Sequence, residues 1–211
     1  RRLKVKILPP SVNKSEYSFT VVDDTTICYG LGAVKGVGES AIVIIINERE
    51  NGGHYSDLFD LCKRVDLRKA NRRVIDALIR SGSMDELGAT RSTLVHNLGK
   101  AISLAEQHSQ NSTSGQNDMF GLNVENKNKT ENKSMYDNAI DWTEKERLTG
   151  EKDTLGFYLK GHPINRYEAE LKGVITSKLN SFKFGSVIVA GYIMSIRTRT
   201  GSRGRMAEIK L

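Results

Sequence analysis

Apolar and polar positions change rhythm three times along the chain. Leu3-Lys4-Val5-Lys6-Ile7-Leu8 alternates apolar with basic residues, the period of a half-exposed strand, and Pro9-Pro10 stops it. Tyr17–Val22 and Thr26–Tyr29 are β-branched and aromatic, with Asp23-Asp24 between them as a turn signal. The first thirty residues therefore predict a small β-rich piece, too small to be stable alone. From Leu31 the period becomes helical. Ser56 reads as an N-cap before Leu58, Phe59 and Leu61. Val74, Ala77 and Leu78 mark a helix that breaks at Ser81-Gly82, with Leu87 continuing the apolar pattern beyond it. The strongest helix runs from Thr90 to about Gln107, with Leu94, Leu98, Ile102 and Ala105 on one stripe, widened by Val95 and Ala101.

Asn111–Asn138 has no period and is rich in Asn, Ser, Thr, Lys and Glu, the composition of a loosely held linker. Order resumes at Trp142 with WTEKERLTGEKDTLGFYL, partly helical and interrupted at Gly150. Gly161-His162-Pro163 ends it, and Arg166–Leu171 suits a short helix. Val187–Arg197 predicts a strand, Thr200–Gly204 a hairpin turn and Met206–Leu211 a second strand. Two strands are marginal by themselves. A β piece at each end too small to stand alone is what a stretch of a longer protein is expected to show.

Composition sharpens this picture. The chain has 211 residues, 38% hydrophobic and 27% charged, with a formal net charge of +7. Residues 185–211 carry five basic groups and one acidic, whereas residues 101–141 carry three and six. A basic end points to a polyanion such as nucleic acid, although ordinary solubility charge gives the same excess. No apolar run approaches the roughly 20 residues of a membrane helix, and no signal-peptide pattern opens the chain. Cys28 and Cys62 lack paired spacing and read as reduced core thiols of a cytosolic protein.

Four motifs carry candidate chemistry. In Leu31–Ile42 a short apolar turn enters Gly36-Val37-Gly38 and a helix follows. Such a turn leaves free amides at a helix start, which suit a phosphate oxygen, and Lys35 adds charge beside them. The same residues also fit a turn that merely joins two packed helices. No third glycine follows, so a dinucleotide site is not expected. Lys69–Met84 has a helix, a Ser81-Gly82-Ser83 turn and basic side chains at Lys69, Arg72, Arg73 and Arg80. It fits a second, degenerate hairpin or a helical pair that completes the core. In the polar linker, QNDMFG (Gln116–Gly121) places Met119 beside Phe120. Either the pair folds back onto its own protein, or it enters a partner's pocket. Burial of each side chain is worth roughly 2–3 kcal/mol, and ordering the segment returns several. A contact of micromolar class results. Last, Arg197, Arg199, Arg203 and Arg205 lie within nine residues on the final hairpin and could track a phosphate backbone, or stand solvated.

No catalytic constellation accompanies these motifs. Asp23-Asp24 and Asp57 with Asp60 make no convincing metal set, and His54, His96, His108 and His162 lack ligand spacing.

Taken together and in order, YGLGAVKGVGESAI (29–42), NRRVIDALIRSGSMDELG (71–88), QNDMFG, EKDTLGFYLKGHP (151–163) and TRTGSRGRMAEIKL (198–211) are highly specific. The chain resembles the DNA polymerase III alpha subunit family, the bacterial C-family replicative polymerases, in the part beyond their catalytic core. The resemblance covers essentially the whole chain. It implies an α+β, mainly α fold. Residues 1–30 would end the fingers region, and 31–110 would form a tandem helix-hairpin-helix domain on duplex DNA. Residues 111–140 would be a flexible linker with a clamp-binding motif, 141–186 a helical connector, and 187–211 the first strands of a truncated OB-fold.

The resemblance also implies roles. Lys35, Gly36, Val37, Gly38, Lys69, Arg72, Arg73, Arg80, Ser81 and Gly82 would meet backbone phosphates of DNA. Gln116, Asp118, Met119 and Phe120 would bind the β sliding clamp. Arg197, Arg199, Arg203 and Arg205 would contact single-stranded template. The partners implied are the clamp, duplex DNA, single-stranded template and the other polymerase III holoenzyme subunits, in the cytoplasm and with no membrane. No cofactor is expected in this stretch, because magnesium would belong to the palm domain, whose catalytic carboxylates are not in this chain. DNA-directed DNA polymerase activity would belong to the whole protein and not to this part alone. The alternative expectation is a scaffold that binds the clamp but not DNA.

Overall fold

A computed structural model describes residues 5–113, 135–177, 186–201 and 204–210. The chain divides into two compact units, residues 1–159 and 160–211.

In the first unit, three short strands precede the helices. β1 (Lys6–Leu8) lies parallel to β3 (Thr26–Cys28), and β2 (Thr20–Asp23) pairs with β3 on its other side, antiparallel, with an irregularity between Val21 and Asp23. Asp23 makes the turn: its carboxylate accepts from the Thr25 backbone and hydroxyl at 2.8 and 2.9 Å. The loop after β1 is tied into the helical part. Arg49, 8% exposed, donates to the carbonyls of Val12 and Ser15 and pairs with Glu16 at 2.9 Å. Those bonds satisfy a buried cation that would otherwise be costly.

Five helices of this unit follow in order among the described residues: α1 (Glu39–Gly52), α2 (Leu58–Arg64), α3 (Arg72–Ser81), α4 (Arg91–Thr113) and α5 (Glu144–Leu155). Their starts follow local chemistry. Asp57, rather than Ser56, caps α2 by accepting from the Asp60 amide; the Ser56 amide instead donates to the Asp60 carboxylate. Asn71 caps α3 through the amides of Arg73 and Val74. Thr143 and Glu146 form a reciprocal capping box at the start of α5. Left-handed glycines, Gly82 and Gly156, end α3 and α5.

One core joins loop and helix residues. Leu31, Ile42, Ile45, Leu58, Ile75, Leu78 and Leu94 are fully buried, and Val12, Tyr29 and Leu155 share their cluster. On α4 the inward line is Leu94, Leu98, Ala101 and Ala105, while Ile102 of the expected stripe is only half-buried. The spacing of 4, 3 and 4 keeps these residues on one face of α4, which packs against α2 and α3. The helix also extends beyond Gln107 to Thr113. Gly150 does not interrupt α5. It lies where α5 crosses α3, and a side chain there would meet Arg80 Cβ at 3.4 Å.

Residues 135–142 run along α2, α4 and α3. Tyr136 accepts from the Leu58 amide at 3.1 Å and packs its ring on Phe59 at 5.2 Å. The Asn97 side chain donates to the Asp137 carbonyl and accepts from the Asp137 amide, at 2.8 and 2.9 Å. Lys100 donates to the Met135 carbonyl and to Asp137, Ser92 donates to Asp141, and Trp142 lies 5.2 Å from the Arg80 guanidinium.

The second unit begins with a 3-10 turn, Pro163–Tyr167, and α6 (Glu168–Leu171). Its antiparallel hairpin pairs β4 (Ser195–Gly201) with β5 (Gly204–Lys210). The first strand starts at Ser195, not Val187, and runs on to Gly201. Cys28 and Cys62 are free and buried. No helix of the described residues is long and apolar enough to cross a membrane.

Candidate nucleic-acid interface

The exposed turn before α1 is the best-formed candidate. A 3-10 turn, Leu31–Ala33, leads through Val34 to Lys35. Gly36 has φ +87°, a conformation that glycine reaches without steric cost. Val34 and Val37 are buried on either side and fix the turn to the core, while Lys35, Gly36, Gly38, Glu39 and Ser40 are exposed. Gly38 is the N-cap and has no side chain to satisfy the first-turn amides of α1. Its carbonyl already starts the helix by accepting from Ala41 and Ile42 at 3.1 and 3.2 Å. An uncapped start with exposed amides is a favourable place for an anion. Glu39, in the same first turn, adds a carboxylate that any incoming phosphate must tolerate.

Two helices hold this turn from behind. A side chain at Gly36 would lie 3.7 Å from Ala77 Cβ on α3. The Lys35 amide donates to the Thr154 carbonyl near the end of α5 at 2.8 Å. Arg73 and Arg80 are one turn to either side of Ala77, so both lie on the face of α3 that meets the turn. Arg73 is exposed. Arg80 is half-buried, its Nε donating to Asp76 at 2.7 Å.

The remaining expected residues are placed differently. Arg72 reaches along α4, within 3.7 Å of where a Gly99 side chain would begin, and Lys69 is exposed ahead of α3. Ser81 and Gly82 do not meet solvent. Ser81 is 0% exposed, and its hydroxyl bonds the Leu78 carbonyl and the Ser83 hydroxyl at 2.8 and 2.7 Å. Gly82, with φ +83°, lies under Arg91. The second turn therefore faces the core, because its hydroxyls satisfy the end of α3 and leave no open amide nest. Gln116, Asp118, Met119 and Phe120 lie outside the described residues.

On the final hairpin the arginines divide. Arg197 pairs with Glu208 and Arg199 with Met206, whereas Arg205 pairs with Thr200. Strand alternation puts Arg197 and Arg199 on one face and Arg205 on the other. Arg203 lies outside the described residues. No group of acidic, His or Cys side chains among the described residues could hold a metal ion.

Sequence reasoning missed the groups that hold the hairpins together. Arg91, 6% exposed in its side chain, makes a two-pronged contact to Asp85 at 2.7 and 2.8 Å and meets the fully buried Glu151 at 3.2 Å. It also donates to the Arg80 carbonyl at 3.2 Å, and Glu151 accepts from the Leu159 amide at 2.9 Å. Burial works against the charge on Arg91, but Asp85 and then Glu151 outweigh it and hold the guanidinium more firmly protonated than usual. No spacing rule links residues sixty positions apart. The Thr143…Glu146 capping box was missed too, although the Thr-x-x-Glu spacing is a signal for it.

The turn and the helices packed behind it are of helix-hairpin-helix type. Residues 4–94 match the family described as "Helix-hairpin-helix motif". Over 213 residues the chain is 44% identical to the DNA polymerase III subunit alpha of Escherichia coli strain K12, covering 99% of this chain and 18% of the relative. It is 41% identical to that of Vibrio cholerae over 208 residues, covering 97% and 18%, and 39% identical to that of Pseudomonas aeruginosa over 221 residues, covering 97% and 19%. Over 97–99% of its length the chain is thus similar to DNA polymerase III alpha subunits, and it spans 18–19% of the length of these relatives.

Proposed function

We propose that this chain is the DNA- and clamp-binding region of a replicative DNA polymerase and contributes processivity. The observation that carries the reading is the exposed Lys35–Ser40 turn, with Gly36 left-handed and α1 uncapped. Such a turn grips a phosphate without reading a base, so it suits a protein that must slide on any sequence. Lys35 and Arg73 supply the local positive charge, with Arg72 and Lys69 further along. Arg197 and Arg199 are the residues of the last hairpin that would follow a single strand. Gln116, Asp118, Met119 and Phe120 would engage the β sliding clamp as a linear motif. Each contact is weak, and linkage on one DNA raises its effective concentration. Nucleotidyl transfer belongs, in this reading, to the remaining length of the relatives, in the cytoplasm and among the other holoenzyme subunits, and this region alone does not polymerise.

Two binding assays separate the parts of this proposal. Fluorescence anisotropy with a mixed-sequence duplex should show affinity that falls steeply with salt. Calorimetric titration into the purified clamp should show micromolar binding that a Met119→Ala/Phe120→Ala double variant abolishes. The burial of Ser81 and Gly82 favours a scaffold role for the second hairpin. If the chain binds the clamp but has no measurable duplex affinity at moderate salt, the whole region is scaffold and the DNA reading fails.

A further inference from the structure

The C-terminal end of α5 carries a lysine that the proposed DNA contact does not use. Lys152 is half-buried in the last turn of the helix. Its Nζ donates to the Gly156 carbonyl at 2.8 Å and lies 5.5 Å from the centre of the Tyr158 ring. An ammonium has three N–H donors, so these contacts hold it in place without exhausting it. Lys35 comes to the same point from the exposed turn before α1. Its amide donates to the Thr154 carbonyl at 2.8 Å, and its Nζ lies 3.8 Å from where a Gly156 side chain would begin. Two cations from separate elements thus converge on one residue, and their ammoniums stand within about 10 Å of each other.

We propose that Lys152 is a further DNA-contacting residue, and that Lys35 and Lys152 form a clasp for the backbone phosphate next to the one on the turn amides. The inference rests on the phosphate-turn reading of Lys35–Ser40.

Charge balance carries it. The free carbonyls at the end of α5 amount to about half a negative charge, against two unit positive charges. The surrounding carboxylates do not make up the difference. Among the described residues neither ammonium is in an ion pair. Glu151 is buried against Arg91. Asp153 and Glu146 line a separate hollow with Arg80 and Lys145. Glu39 is exposed at the start of α1 and is the carboxylate that the turn itself already has to tolerate. A surplus of positive charge therefore remains at Gly156, and a phosphodiester brings one negative charge and two acceptor oxygens to it. The spacing also fits. Each strand of a duplex presents a phosphate for about every 3.4 Å of rise, so a strand seated on the turn brings its next phosphate within reach of both side chains. Ammonium groups on phosphates read no base, in keeping with a contact that tolerates any sequence.

Fluorescence anisotropy of a mixed-sequence duplex across a salt series tests the clasp on the wild type, Lys35→Gln, Lys152→Gln and Lys152→Arg, with the urea midpoint of each. Lys152→Gln should weaken binding about three- to tenfold at moderate salt and reduce the slope of log affinity against log salt by about one. Lys152→Arg keeps the charge and should stay within about twofold of the wild type with an unchanged slope. If Lys152 only caps α5, Lys152→Gln lowers the urea midpoint and leaves the salt slope as it was. That result, or wild-type affinity in Lys152→Gln while Lys35→Gln still weakens binding, would overturn the clasp and leave the turn standing. No duplex affinity in the wild type, or no effect of either glutamine variant, removes the turn reading and the clasp together.

Discussion

Arg91, at the start of α4, and Glu151, in the middle of α5, meet at 3.2 Å with both side chains almost wholly out of water. Asp85 binds the same guanidinium, so one cation fastens the turn after α3, the start of α4 and the crossing of α5. A buried pair of this kind contributes little net stability compared with an apolar replacement, but removal of one partner strands the other. Arg91→Ala should therefore lower unfolding free energy by about 3–5 kcal/mol in urea denaturation. Arg91→Met combined with Glu151→Leu should cost much less than the two single changes added together. Additive losses would mean that the pair does not act as a unit.

Two left-handed glycines provide an internal comparison. Gly82 and Gly88 have φ of +83° and +85°. A Cβ on Gly88 meets nothing within 4 Å, whereas one on Gly82 would collide with the Arg91 guanidinium. Gly88→Ala should cost only the backbone term, about 1–2 kcal/mol. Gly82→Ala should cost clearly more, and equilibrium denaturation of both variants measures the difference.

Alkali should unfold the protein through its buried acids. Burial raises Tyr55 and Tyr136 from 10.0 to about 12, and raises the Cys62 thiol from 9.0 to about 12. In this range the unfolded chain has already released protons that the folded chain retains. The stabilising effect is complete below about pH 9, and it is lost as pH rises towards 12. Denaturant midpoints measured from pH 8 to 11.5 should fall over that interval, and Tyr136→Phe should flatten the fall. At pH 8, Cys62 should react with a thiol reagent only at the rate of opening.

Local capping at α5 can be read by hydrogen exchange. The Glu146 carboxylate is held below its usual range by the Thr143 backbone and hydroxyl. Its benefit is therefore present above the ordinary carboxylate pKa and fades as pH falls further. Glu146→Ala should speed exchange in the first turn of α5 and leave α3 unchanged.

Much of this architecture was legible because it is local. Gly82 as a stop and the α4 stripe follow from neighbours within one or two turns. Ser56 lost its role to Asp57, because adjacent residues can both cap and only the backbone decides. Gly150 misled because its meaning is tertiary: it admits Arg80 rather than breaking α5. The first turn was readable from Gly36 and Gly38. The burial of Ser81 and the meeting of Arg91 with Glu151 were not, since both depend on which helix faces packed. Sequence also put four arginines on one ribbon, where pairing register separates Arg205 from Arg197 and Arg199.

The phosphate-gripping turn before α1 is the central claim. It is tested most directly by duplex DNA affinity across a salt series for the wild type, Lys35→Glu and Gly36→Val. The turn predicts a linear fall of log affinity with log salt. Lys35→Glu should weaken binding at every salt and reduce the slope by about one. Gly36→Val should weaken it further by distorting the turn. Wild-type affinity and slope in both variants, with their fold intact, would contradict the account and move the DNA contact away from this turn.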